Sequence, residues 1–249
     1  MKTTLRRATR GALRTSRRIR RRVQGRRANV NCPACGESFD EFVAHRGRPN
    51  ARCPGCGSLE RHRLLWLWLQ EQDLFSRPRD VLHVSPEWAI SRYFTRNRKA
   101  RRSHGYVSID IRPGAADMVA DLTDLPFADD AYDLVFCNHV LEHIPNDRKA
   151  MRELRRVLRP DGLAILQHPI KREITVEDPA VTDPQERLQR FGQEDHVRIY
   201  GRDFSTRLEE AGFTVTVERY RDRLSKETKD RYGLGPNDLA TADDLYLCS

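Results

Sequence analysis

From residue 80 to the C-terminus, short apolar runs alternate with amphipathic segments. DVLHVS reads as a buried strand, and PEWAISRYFTRN as a helix with Pro86 at its start. YVSID is a second strand ending in Asp110, MVADL a short third strand ending at Asp121, and AYDLVFCN a fourth ending in Asn138. NDRKAMRELRRVLRP predicts a helix capped by Asn146, apolar along Met151, Leu154 and Leu158, and closed by Pro160. GLAILQHP supplies a fifth strand, RDFSTRLEEAGF a helix ended by Gly212, and FTVTVERY and DLYLC two late strands. Such alternation predicts an α/β fold, doubly wound on a mostly parallel, Rossmann-like sheet. Ligands of these sheets bind at the carboxyl ends of the strands, near the switch in strand order. Asp110 stands there, about 25 residues after the first strand, where an acidic residue meets ribose hydroxyls.

Ahead of this body, SLERHRLLWLWLQEQDLF carries an apolar stripe of Leu64, Leu65, Trp68 and Leu69, with Ser58 as a candidate helix cap. Arg61, His62 and Arg63 fall in its first turn, where basic residues oppose the helix dipole. That placement fits an anion or substrate contact as well as a solvated face.

Cysteines change the picture of this region. Cys32-Pro-Ala-Cys35 and Cys53-Pro-Gly-Cys56 are separated by 17 residues, the spacing of paired zinc knuckles. Gly36 and Gly57 follow each pair, where a tight turn needs a positive φ. Four cysteine ligands would close the site, so zinc bound here is structural, in a small zinc-ribbon-like module, with His45 and His62 near enough in sequence to be substitute ligands; a disulfide framework is the alternative reading of the four cysteines. Cys137 and Cys248 sit in apolar strand contexts and read as core residues. The chain divides into a basic tail (1–28), a zinc-binding module (29–58), a connecting helix (59–79) and the α/β domain (80–249).

Charge is concentrated in the tail. Residues 1–28 hold twelve Lys or Arg and no acid; the rest holds 33 basic and 36 acidic residues, a formal charge of −3. The tail lacks an apolar signal core, and its Arg-rich, acid-free composition is similar to a mitochondrial presequence. Three readings stay open for it: a solvated arm, a helix on an anionic membrane surface, or a contact to nucleic acid phosphates. No apolar stretch approaches the roughly 20 residues that span a bilayer. These features predict a cytoplasmic protein, with the tail available for peripheral membrane attachment.

Residues 80–220 resemble a class I S-adenosylmethionine-dependent methyltransferase of the small-molecule group, chiefly through ADLTDLPFADDAYDLVFCNHVLEHI and ELRRVLRPDGLAILQHP. The resemblance implies S-adenosyl-L-methionine as cofactor. It implies that Asp110 binds ribose, that Asp121 and Leu122 lie by the adenine, and that Asn138 lies near the methionine part. It also implies an antiparallel strand pair at one sheet edge. The family carries a Gly-rich turn after the first strand; here Ser85-Pro86-Glu87 takes its place, with Ser85 as the cofactor contact and Glu87 as a second candidate in the same turn.

Methyl transfer to oxygen requires removal of a proton, which suits a base near neutral pKa. His139, next to Asn138, is the first candidate base. His143, His168 at the end of the fifth strand, and Glu194, Asp195 and His196 are further candidates. Related sequences share the VLHV-small-PE turn and an RFGQEDHVRIYGRDF-like segment, often with the same Cys pairs. That resemblance implies O-methylation of a small molecule or a carbohydrate such as a glycan precursor. Two alternatives stand beside it. One is an RNA or protein methyltransferase that uses the zinc module and tail to hold a polymer. It lacks the Asn-Pro-Pro-aromatic tetrad of base methylation after the fourth strand, and the body is mildly acidic. The other is a non-catalytic interaction module organised by zinc.

Overall fold

The computed structural model describes residues 29–74, 76, 78–96, 105–235 and 244–249. The tail reading falls outside these residues. Two short hairpins open the chain: β1 (Val30–Asn31) with β2 (Ser38–Phe39), and β3 (Val43–His45) with β4 (Arg48–Arg52), both antiparallel. Helix α1 (Glu60–Glu71) follows. The body then runs β5 (Asp80–Val84), α2 (Trp88–Arg96), β6 (Gly105–Asp110), β7 (Met118–Val119) and β8 (Tyr132–Asn138). It continues through a 3-10 turn (Leu141–His143), α3 (Asp147–Val157) and β9 (Leu158–Gln167). Next come β10 (Ile170–Arg172), β11 (Val176–Glu177), α4 (Pro184–Phe191), β12 (Arg198–Gly201) and α5 (Phe204–Glu210). β13 (Val215–Glu218), α6 (Tyr220–Arg223), α7 (Lys226–Arg231) and β14 (Leu245–Cys248) complete it.

Seven strands form the central sheet in the order β13-β14-β9-β8-β5-β6-β7. β14 runs antiparallel to both neighbours, and the pairs from β9 to β7 are parallel. The chain order switches between β5 and β8, so a crevice opens at the carboxyl ends of those two strands. The strands are apolar on both faces, as a sheet covered on both sides requires. Leu82, Val84, Val135, Cys137, Ala164 and Leu166 pack with Met151 and Leu154 of α3 and Phe204 and Leu208 of α5. Val81, Leu134, Phe136 and Ile165 pack on the other face with Leu64, Leu65, Trp66, Trp68 and Leu69 of α1 and Ile90 and Phe94 of α2. The helix after the cysteine pairs is therefore part of the sheet's cover, and it carries the hairpins with it.

Element ends follow local chemistry. The Asn146 side chain accepts from the Lys149 N–H and caps α3. Gly212 turns the chain after α5 with φ +99°. Ser58 does not cap α1: the cap position is Leu59, whose N–H is held by His62 Nδ1 at 3.1 Å. The small sheet β10-β12-β11 and helix α4 go beyond the sequence reading, although Asp183-Pro184 and Gly192 flank α4 as cap, first residue and left-handed stop.

Arg63 joins the hairpins to the body. Its fully buried guanidinium donates to the carbonyls of Ala51, Ser58, Tyr232 and Gly233 and lies 4.2 Å above the Phe42 ring. Replacing it with methionine strands four carbonyls, three of them in buried bonds. We expect Arg63→Met to lose about 3 kcal/mol, read as a melting temperature about 10 °C lower; an unchanged melt would refute this role.

Candidate active site

The carboxyl ends of four strands line up the residues singled out in the sequence. Ser85 leaves β5 with φ +47°, and its N–H donates to the Ile109 carbonyl at 2.7 Å. A left-handed conformation is what a glycine usually supplies at such a turn, so the missing glycine is replaced by a serine held in the same region. Asp110 ends β6 as a buried carboxylate that accepts from the Arg112 N–H at 2.9 Å and from its guanidinium at 3.0 and 3.1 Å. Arg112 holds the Asp110 carboxyl below its usual range. The Arg112 side chain is 74% exposed, so its cover over Asp110 is a solvent-side one. Asp121 lies just beyond β7, exposed, and accepts from the Thr123 N–H and hydroxyl at 2.8 Å each; Leu122 beside it is buried. Asn138 ends β8 buried, and neither atom of its amide has a hydrogen-bond partner.

A cavity of about 260 Å³ lies at the β5/β8 switch. Ser85, Pro86, Glu87, Trp88, Ala89, Asn138 and His139 form one wall; Cys56, Gly57, Ser58, Arg61 and His62 form the other. The second knuckle and the start of α1 thus face the strand ends directly. Glu87 is aimed by His83, a polar residue set among Val81, Leu82 and Val84. His83 is fully buried, 2.6 Å from Glu87 through Nε2 and 3.0 Å from the Tyr106 hydroxyl through Nδ1. Burial pushes the Glu87 carboxyl up, but its bond to His83 and the nearby charges outweigh that and hold it down to about 2. Burial, then the Arg61 charge, lowers His62 to about 3. His62 is therefore neutral, and because Nδ1 accepts the Leu59 N–H, its proton sits on Nε2. That Nε2 is buried without a partner. The cavity presents a cation and an N–H donor on one wall and a carboxylate and an amide on the other. The solvated-face reading of Arg61 and His62 gives way to this placement.

Cys32, Cys35, Cys53 and Cys56 bring four Sγ atoms within 4.8 Å of one another, all as free cysteines. The two knuckles repeat one geometry: the Gly36 N–H closes on the Cys32 carbonyl and the Gly57 N–H on the Cys53 carbonyl, each at 2.8 Å, with φ +71° and +79°. Cys32 and Cys56 stand 3.5 Å apart and Cys35 and Cys53 3.8 Å. A tetrahedral ion with bonds of ~2.3 Å to sulfur sets S···S edges of ~3.8 Å, so the cluster has the size of a four-thiolate zinc site. Ser58 Oγ lies 3.2 Å from Cys32 Sγ and 3.1 Å from Cys56 Sγ. The hydroxyl expected to cap a helix instead faces the thiolates.

His139 follows Asn138 with φ +54°, its N–H bonded to the Gln167 carbonyl at 2.7 Å. Its Nδ1 stands 3.5 Å from Glu142 Oε1, and its Nε2 has no partner. Burial raises the Glu142 carboxyl, but the contact with His139 outweighs that and holds it at about 2. Beyond it, Glu142, His143 and His196 bring one ligand atom each within 4.8 Å of one another. His168 departs from the sequence reading: it is enclosed by Tyr200, Phe204 and Tyr246 at ring distances of 4.5, 3.7 and 5.3 Å, not turned to the crevice. Burial lowers it to about 3, which keeps it neutral. Glu194 pairs with Gln185 on the surface, and Asp195 reaches His143 at 3.2 Å.

The segment HVRIYG owes its pattern to strand geometry. His196, Arg198 and Tyr200 alternate onto one buried side. Arg198 donates to the carbonyls of Leu141, Ile144 and Pro145, and Tyr200 to the Asp147 carboxylate at 2.7 Å. These contacts fix the turn after β8 and bring His196 beside Glu142. Glu142 is a site residue that the sequence reading did not assign; Glu87 entered it only through the turn after β5, and His62 only as one of two open readings of the α1 start. A histidine inside the apolar run DVLHVS was the available signal for Glu87.

Residues 89–166 match a family described as a methyltransferase domain. An uncharacterized methyltransferase of Bacillus subtilis, YcgJ, is 36% identical over 74 residues, 30% of this chain and 28% of that protein. Ajmaline N-methyltransferase of Rauvolfia serpentina is 31% identical over 72 residues, 29% of this chain and 25% of that protein. The matched segments thus span only about a quarter of these relatives' length. Among solved structures, an S-adenosylmethionine-dependent methyltransferase of Mesorhizobium loti superposes with a TM-score of 0.50 at 15% identity, covering 74% of this chain and 96% of that one. The methyltransferase domain of the citrinin polyketide synthase gives 0.52 at 12%, covering 77% and 52%. With its strand order and reversed β14, the α/β body of this chain has the fold of these methyltransferase structures, and residues 89–166 within it match the methyltransferase-domain family.

Proposed function

We propose that this protein transfers a methyl group from S-adenosyl-L-methionine to a hydroxyl oxygen of a small molecule or a carbohydrate such as a glycan precursor. The observation that carries the reading is the cavity at the β5/β8 switch, walled by strand ends on one side and by the cysteine module on the other. The residues fit the cofactor. The buried Asp110 carboxylate, covered only by an exposed arginine, suits ribose hydroxyls. Asp121 and Leu122 flank the adenine side. The unpartnered Asn138 amide and the Ser85 turn suit the methionine side. Arg61 and the His62 Nε2–H, which line the cavity, would hold the cofactor's amino acid carboxylate, and Glu87 its ammonium. Bound there, the cofactor supplies an electrophilic methyl on sulfur.

His139 is the base in this reading. A proton on Nδ1, directed at Glu142, leaves Nε2 as the free lone pair at the cavity. Nε2 takes the hydroxyl proton as the oxygen attacks, and the distance to Glu142 tightens as the imidazolium forms. Zinc on the four thiolates keeps Ser58, Arg61 and His62 in place. The module is thereby used as a wall of the site and is anchored by Arg63, which favours a small acceptor over a polymer. Four cysteines would fill the coordination of this zinc, so its part at this wall is structural.

Calorimetric titration with S-adenosylmethionine should give one site, weakened at least ~10-fold in Asp110→Ala, about 1.4 kcal/mol; equal affinity would remove Asp110 from the cofactor. Labelled-methyl transfer should mark hydroxylated small molecules or glycans; label only in RNA or protein would favour the polymer alternative. On the labelled acceptor, His139→Asn, which tolerates the positive φ, should lower kcat about 100-fold or more with cofactor affinity unchanged. Undiminished turnover would dismiss His139 as the base. Stripping zinc with a chelator, or Cys53→Ser, should weaken cofactor binding at least ~10-fold through the lost wall; metal-free protein that binds as tightly would contradict that coupling.

A further inference from the structure

We infer that Glu142, His143 and His196 form a second metal site, for a divalent transition-metal ion, on the far side of His139 from the cysteine module. The three side chains come from the turn after β8 and the loop before β12, and their ligand atoms lie within 4.8 Å of one another. Bonds of ~2.0–2.2 Å from two imidazoles and a carboxylate can close on one ion over that distance after small side-chain rotations.

The hydrogen bonds around the cluster point the right atoms inward. His196 Nδ1 lies 3.1 Å from the Phe191 carbonyl, so it carries the proton and Nε2 keeps its lone pair. That Nε2 is buried and has no partner. His143 Nδ1 lies 3.2 Å from Asp195 Oδ2, which fixes the second imidazole in the same tautomer. An oxygen acceptor on Nδ1 is the outer-sphere arrangement that metal-binding histidines use. Glu142 is 2% exposed. Its Oε1 faces His139 and its Oε2 has no partner. The two buried groups, Glu142 and His196, therefore leave one acceptor atom each without a hydrogen bond, which is costly in a protein interior and is resolved by a cation.

The backbone holds the pieces in register independently of any ion. The Val197 N–H donates to the Glu142 carbonyl at 2.9 Å, and Arg198 grips three carbonyls of the same turn. Two imidazoles and one carboxylate suit zinc, cobalt, manganese or ferrous iron better than calcium or magnesium. Three protein ligands leave open positions, and the Glu142 carboxylate spans from the ion to His139. An acceptor oxygen bound at the open position would lie near the base; this last step rests on the proposed methyl transfer, whereas the ion does not.

Cobalt titration of the full, metal-stripped chain tests the site without any assay of turnover. Wild type should bind two equivalents: one with a thiolate charge-transfer band, and one with only weak ligand-field bands from nitrogen and oxygen ligands. His196→Ala, and His143→Ala at a half-exposed position that spares the core, should each lose the second equivalent and keep the first. Retention of the thiolate band reports that each variant is folded. A wild-type endpoint of one equivalent, or a second equivalent that survives both variants, overturns the proposal. Cofactor binding measured on the same samples separates a failure of this site from a failure of the methyltransferase reading.

Discussion

The fully buried Arg63 guanidinium is the constraint on which the site depends. It takes up the carbonyls of the hairpin region, the knuckle residue Ser58 and the C-terminal end of α7. A buried cation is tolerated only when its donors are met, and here backbone carbonyls and an aromatic face meet them. Because α1 also covers one face of the sheet, the hairpins cannot swing free of the strand ends. One wall of the cavity is therefore as rigid as the core itself. The knuckle that would hold zinc and the residues that face the crevice lie within six positions of each other in the chain, from Cys56 to His62.

A second buried arginine performs the matching task on the other side. Arg198 ties the turn after β8 to β12, with Arg207 and Asp147 in the same network. The two arginines bracket the carboxyl edge of the sheet. Between them lie an anionic Glu87, a neutral His62 and the His139–Glu142 pair, each set by its neighbours and not by its residue type alone. Opposed protonation states within one crevice are how a site assigns acid and base roles.

Much of the fold was legible because periodicity and turn chemistry agree. The apolar runs, Asn146 and Gly212 predict β5, β6, β8, α3 and α5 near their observed limits, but β7 stops at Val119 and β9 already starts at Leu158, so Leu158 and Pro160 belong to the strand and not to the helix that the pattern has them line and close. The cysteine spacing predicts the cluster, since two matched knuckles leave few other arrangements. What the sequence hides is direction. His168 ends a strand that reaches the crevice, yet its side chain alternates into an aromatic enclosure. Ser58 stands where a cap is expected, and the thiolates claim its hydroxyl. Glu142 and His196 are far apart in the chain and meet where the Val197 N–H bonds the Glu142 carbonyl and Arg198 grips the same turn. Ser85 looks like a departure from the glycine-rich turn, but its backbone adopts the glycine's conformation.

A crystal structure with S-adenosylhomocysteine tests the central claim most directly. The ribose is expected on Asp110, with Arg112 displaced, and the methionine end between Arg61, His62 and Glu87 against the cysteine module. A ligand seated elsewhere on the sheet edge, or a methionine end that never touches the module's wall, would contradict it.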